Sequence, residues 1–324
     1  MPRDITHFLV AEHVQAALQP EPFWQPILRN TNCLKAGAVF PDALYYLAMP
    51  CHNPAIKAFS DTLHGTDGQD TFVIVKQILK TLPHTSIKEQ LLAFLVGIVT
   101  HIFADMTFHP LVYFLTGNTR DPDKITRGVA VQKHRQLETL IDIYLCGGLD
   151  HVDSYPLASY LHALEAEQAL LFWEAARGFF SDGQKDEVIH AMSSAYKTFV
   201  LAQSVCTLKV SRCILAPVDR LLPRHLKTTI ALLYAPRLEL LLGSISGSLS
   251  YRHPLSGEPY ETTLQHLFQQ AVTKSVECCH MLEKIIVDKM SVGELPVGSS
   301  LELAVPGVAV TEMRYFAPRD IFGL

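Results

Sequence analysis

Apolar residues recur along most of this chain at three- and four-residue intervals, the period of an α-helix rather than the alternation of a strand. On that pattern helices are predicted over residues 5–18, 71–82, 87–115 and 129–145, and again near 157–180, 186–215, 225–242 and 262–290. Pro20, Pro22 and Pro26 break the chain just after the first helix. Residues 34–47, punctuated by Gly37 and Pro41, read as a loop running into a short helix. Residues 51–70, rich in His, Asn, Asp and Gly, read as a long loop, 118–124 as a turn, and 243–259 as a Ser/Gly/Pro loop. After Ser291 the periodicity fails, and 301–305 and 308–315 read as short strands or extended coil. No internal repeat is visible. The pattern predicts an all-α fold, with a helical domain over 1–290 and an irregular tail over 291–324 packing on it.

The stretch 91–115 has the length of a membrane span, but it carries His101, Asp105 and His109, then Pro110. Charge in mid-bilayer is costly. We therefore expect a helix buried in a protein core, polar on one face, and no transmembrane segment. Composition supports a folded protein: 48% of the 324 residues are apolar and 18% charged. A net charge of −5 leaves no basic field for nucleic acid, so a nucleic-acid partner is not expected. The N-terminal residues lack the cationic and apolar regions of a signal peptide. Seven cysteines without Cys-x-x-Cys spacing fit reduced thiols, and the expected compartment is the cytoplasm.

Candidate chemistry comes from histidines at helical spacing from carboxylates. His101 and Asp105 are four residues apart, as are Asp105 and His109, and His134 and Glu138. Positions i and i+4 share a helix face, so two such side chains can converge on one cation. An imidazole with a carboxylate is a usual zinc ligand set. An isolated His-x-x-x-Asp pair is more often a surface ion pair or a satisfied core histidine. His101 and Asp105 differ because apolar residues flank them on both sides, where an unpaired carboxylate would be costly. His13, His52, His84, His151, His162, His190, His225, His266 and His280 have no clear partner and read as surface or core residues; His253, in a polar loop, reads as an ordinary turn residue, with a place lining a substrate mouth as the alternative.

These residues lie in a recognisable series: Thr6-His7, then Gly37-Ala38-Val39-Phe40-Pro41-Asp42, then His64, then Gly97 to Asp105 with His109, then His134-Arg135-Gln136-Leu137-Glu138. In order and type the series resembles the zinc-dependent phospholipase C family. It also resembles the N-terminal domain of glycosylphosphatidylinositol-specific phospholipase D and, more distantly, the fungal zinc single-strand nucleases. The likeness covers roughly residues 5–142. It implies a multi-helix phospholipase C-like bundle with two or three zinc ions. Asp42, His64, His101 and Asp105 would hold one ion, and His109, His134 and Glu138 a second. His7 would share a third with the bridging Asp105. In secreted relatives the N-terminal amine completes that third site; here Met1 precedes Pro2, a context that favours Met removal, so the Pro2 amine is the candidate.

The resemblance implies a zinc-dependent phosphoric ester hydrolase, with water rather than a side chain attacking phosphorus. Asp42 is the candidate to orient or deprotonate that water, or to serve as a ligand alone. No Ser-His-Asp pattern, Gly-rich phosphate loop or dinucleotide fingerprint offers a different chemistry. The implied substrate is a phosphate ester, with a phospholipid headgroup the family's best-known class. A non-catalytic helical metal-binding or scaffold protein and a single-strand nuclease-like phosphodiesterase are the alternatives.

Overall fold

The computed structural model of the protein describes residues 4–46, 53–164, 167–218 and 224–317. In chain order its helices are α1 (Asp4–Leu18), α2 (Trp24–Leu28), α3 (Thr31–Ala38), α4 (Phe40–Ala43), α5 (Pro54–His64), α6 (Val73–Thr81), α7 (Lys88–Thr116) and α8 (Lys124–Leu145). Then come α9 (Leu157–His162), α10 (Gln168–Ala176), α11 (Lys185–Thr207), α12 (Lys209–Val218), α13 (Arg224–Ile230), α14 (Pro236–Glu239), α15 (Leu242–Ile245) and α16 (Leu264–Val287). A two-stranded antiparallel hairpin, β1 (Leu249–Arg252) with β2 (Pro259–Thr262), sets Tyr251 opposite Tyr260. The fold is all-α, as the periodicity predicts.

The organising element is α7. It is apolar on nearly every face, and such a helix must be enclosed. Helices α1, α3, α8 and α16 pack around it. By length and composition α7 could cross a membrane, yet 89% of its most apolar window is buried inside the fold. The closest crossing is with α3. A Cβ added at Gly97 would lie 2.1 Å from the Leu34 carbonyl oxygen, and one at Gly37 2.0 Å from that of Phe94. Two facing glycines thus let the backbones of α3 and α7 touch. Gly37 is a packing residue inside α3, where the pattern predicts loop punctuation.

Several expectations need correction. Residues 51–70 are not one loop, because α5 occupies their centre. Its signals are local: the Asn53 side chain accepts hydrogen bonds from the amides of Ala55 and Ile56, Pro54 opens the first turn, and Gly65 ends the helix at φ 63°. A polar composition masked them. Residues 31–43 are already helical, in α3 and α4, rather than a loop leading to a helix. The long helices predicted in the second half are broken: Leu208 is extended between α11 and α12, and Pro236 opens a separate turn. The region 243–259 contributes β1 and half of the hairpin rather than only loop. Residues 308–315 hold a 3₁₀ turn at Val310–Glu312 instead of a strand, and 301–305 form turns.

Candidate metal centre

Helix α7 carries His101, Asp105 and His109 one turn apart in a line, all buried. Helix α8 presents His134 and Glu138 in the same way. Asp42 comes from α4, His64 from the last position of α5, and His7 from the first turns of α1. The eight side chains meet. His64 Nε2 lies 3.1 Å and His101 Nε2 3.7 Å from Asp42 Oδ1. His101 Nε2 is also 3.2 Å from Asp105 Oδ2, while His7 Nε2 is 3.4 Å from Asp105 Oδ1 and 3.8 Å from Asp42 Oδ2. A turn further along α7, Glu138 Oε1 is 2.9 Å from His134 Nε2 and 3.8 Å from His109 Nε2.

The far sides of the rings fix what the near sides can do. Nδ1 of His64 donates to the Ser60 carbonyl at 2.8 Å, that of His101 to the Ala38 carbonyl at 2.9 Å, and that of His109 to the Leu301 carbonyl at 2.8 Å. A carbonyl only accepts, so each Nδ1 carries a proton and, where the ring is neutral, a bare Nε2 lone pair turns inward; at His64 a second proton on Nε2 can instead donate to Asp42 Oδ1. Those lone pairs face carboxylate oxygens, which also bear only lone pairs. That arrangement repels itself unless a proton or a metal ion lies between. Nε2 of His7, His101 and His109 and both oxygens of Asp105 are buried without a hydrogen bond among the described residues. Orphaned ligand atoms of this kind are what a metal relieves. Among the described residues two sets could hold an ion: Asp42, His64, His101 and Asp105 in one, and His109, His134 and Glu138 in the other. Their mixed nitrogen and carboxylate donors suit zinc.

Without metal the electrostatics are strained in the same sense. Burial lowers His7 and His109 to about 3, so both stay neutral. Burial also depresses His134. His64 goes the other way: burial opposes its charge, but the Asp42 hydrogen bond and charge raise it to about 9. For Asp105 burial pushes upward, yet His101, His109 and His7 hold the carboxyl well below the usual range.

Further residues position the site. Asp142 accepts from the Thr6 amide at 2.9 Å, the Thr6 hydroxyl at 2.5 Å and the Tyr234 hydroxyl at 2.8 Å, tying the start of α1, and so His7, to α8. The tail is part of the centre. Besides the Leu301 carbonyl under His109, the Leu301 amide donates to the His64 carbonyl at 3.0 Å, and Glu302 is buried beside them. The Tyr113 ring lies 4.7 Å from that of His134, and the Tyr45 ring 4.9 Å from that of His64. Sequence reasoning missed all of these. Only Tyr113, four residues after His109, left a signal. His253 is held structurally, its Nε2 donating to the Leu303 carbonyl, and His280 pairs with Glu21 at the surface. Pro2 lies outside the described residues, as do His52 and the side chain of His225.

Comparison with known proteins agrees with this geometry. The bovine (Bos taurus) phosphatidylinositol-glycan-specific phospholipase D is 33% identical over 85 residues, covering 26% of this chain and 10% of the bovine protein. The present chain thus spans only a small part of that relative. No solved structure matches. The family model described as zinc-dependent phospholipase C matches residues 6–176, more than half of the chain, and encloses all eight converging side chains. The chain therefore belongs to the zinc-dependent phospholipase C family.

Proposed function

We propose that the protein hydrolyses phosphate esters in the manner of a phospholipase C, with two zinc ions in the two ligand sets and a third position at His7 and Asp105. One observation carries the reading: Nε2 lone pairs from two elements converge on carboxylate oxygens, with three of the rings locked by carbonyls on their far sides. Bound zinc would supply Lewis acidity toward phosphoryl oxygens and lower the pKa of an attacking water. The chain's own residues would do the rest. Asp105, reaching His7 and His101 with different oxygens, is the proposed bridge. Asp42, the least enclosed member of its set, would orient the water and take its proton. The Ser60, Ala38 and Leu301 carbonyls would hold the imidazoles aimed, with Nδ1 protonated and Nε2 toward the metal.

A phospholipid headgroup is the favoured substrate, on the strength of family membership and of the phospholipid-related name of the bovine relative. The free thiols of the described cysteines support the cytoplasm as compartment. The Pro2 amine is the proposed completing ligand of the third position. The test begins with metal counting on purified protein. Hydrolysis of phosphatidylcholine vesicles and of a soluble aryl phosphodiester is then measured before chelation, after it, and after zinc is restored. Loss and recovery of activity with zinc is expected. Bound zinc with no hydrolysis of either diester would reduce the centre to a structural role. Counting zinc in chains with and without an N-terminal tag tests the amine: the tagged form should hold one ion fewer.

A further inference from the structure

Arg120 follows the end of α7, in the turn that leads to α8, and it is 38% exposed. Its guanidinium lies 3.9 Å from Glu302 Oε1, while the other Glu302 oxygen accepts from the Ser300 hydroxyl at 3.3 Å. Glu302 is buried, and it is delivered by the segment whose preceding residue touches both ligand sets: the Leu301 amide binds the His64 carbonyl, and the Leu301 carbonyl binds His109 Nδ1. Glu302 is electrostatically coupled to His64, Asp105 and Arg120, and Tyr113, which packs on His109 and His134, is coupled to Arg120 and Glu302. Arg120, partly exposed and paired with Glu302, thus lies next to the segment that orients both ligand sets. A 3.9 Å pair engages a guanidinium loosely, leaving most of its five N–H donors for another partner. A planar fork of donors beside a cationic centre matches the oxygens of a phosphoryl group.

We infer that Arg120 is a substrate-binding residue that grips non-bridging oxygens of a phosphate ester at the metal centre, and that Glu302 is the positioning residue that holds its guanidinium at the rim. The inference rests on the phosphate-ester reading above and deepens it. It also gives the tail, which lies outside residues 6–176, a share in the site.

The experiment uses the zinc-loaded full chain with two probes: inorganic phosphate, titrated calorimetrically, and a soluble aryl phosphodiester. In Arg120→Ala, zinc content should equal wild type. Phosphate affinity should fall at least tenfold, and KM should rise at least tenfold with kcat changed less. Arg120→Lys, which keeps the charge but not the fork, should recover part of the loss. Glu302→Gln should raise KM at unchanged zinc content. Phosphate affinity and KM of Arg120→Ala within twofold of wild type would overturn the inference, as would a fall in its zinc content, which would make the residue structural. If wild type binds phosphate but cleaves no diester, the hydrolase reading fails, while the phosphate titrations still decide the role of Arg120.

Discussion

Asp105 is the residue on which the centre turns. One of its oxygens faces His7 and the other His101, and both are buried. Asp105→Ala should therefore cost more metal than any other single substitution, removing a ligand from two positions at once. His280→Ala, at an exposed pair with Glu21, should leave metal content unchanged. Elemental analysis of the two variants checks this, and equal stoichiometry in Asp105→Ala and wild type would refute the bridge. The histidines also set a pH dependence for the metal-free protein. His7 and His109 titrate near 3 when folded but near 6.5 when unfolded, so their neutral burial is harmless above pH 6.5, and stability is lost as pH falls below it. His64, raised to about 9, contributes stability below pH 6.5 that fades as pH climbs toward 9. Between pH 7 and pH 5.5 the loss from His7, His109 and the likewise depressed His134 outweighs the smaller gain from His64, and the chelated protein should lose about 2 kcal/mol or more. Urea unfolding at the two pH values measures it; a flat profile would mean that these rings are not buried neutral.

At the scale of elements, the crossing of α3 and α7 does more than bury apolar surface. The contact at Gly37 and Gly97 brings the Ala38 carbonyl to His101 Nδ1 at 2.9 Å, so the packing of two helices sets the tautomer of a proposed ligand. A methyl at Gly97 would sit inside the Leu34 carbonyl oxygen and force the helices apart. Gly97→Ala should destabilise by about 3 kcal/mol or more, beyond ordinary overpacking, because backbone cannot repack as a side chain does. It should also weaken zinc retention at the His101 set. Thermal unfolding and metal counting report the two effects separately, and a variant with wild-type stability would show that the helices do not meet here. The same elements show why α5 escaped notice. Its cap residues Asn53, Pro54 and Gly65 were legible one by one, but a short helix among polar residues gives little periodicity to weigh against loop composition.

Across the whole molecule, the centre draws on α1, α4, α5, α7 and α8, with the tail sealing one side. Metal that binds only this assembled state stabilises it by mass action, about 4 kcal/mol per ion at a thousandfold excess over Kd. Chelation should lower Tm by about 10 °C or more, and zinc should restore it. An unchanged Tm after demonstrated metal removal would contradict a centre that spans the fold. The sequence by itself determined what depends on local periodicity: the all-α class, the buried character of α7, and the His-x-x-x-carboxylate pairs of α7 and α8, whose four-residue spacing fixes one face whatever surrounds it. Its likeness to a known family added Asp42, His64 and His7, which no local period could connect. Only the tertiary structure decided that Gly37 and Gly97 are a helix crossing, that Asp142 anchors the start of α1, and that the Leu301 carbonyl orients His109. The reason is physical. A carbonyl 192 residues from the ring it orients leaves no trace in side-chain pattern, because every residue carries the same carbonyl, and only the path of the chain chooses which one is used.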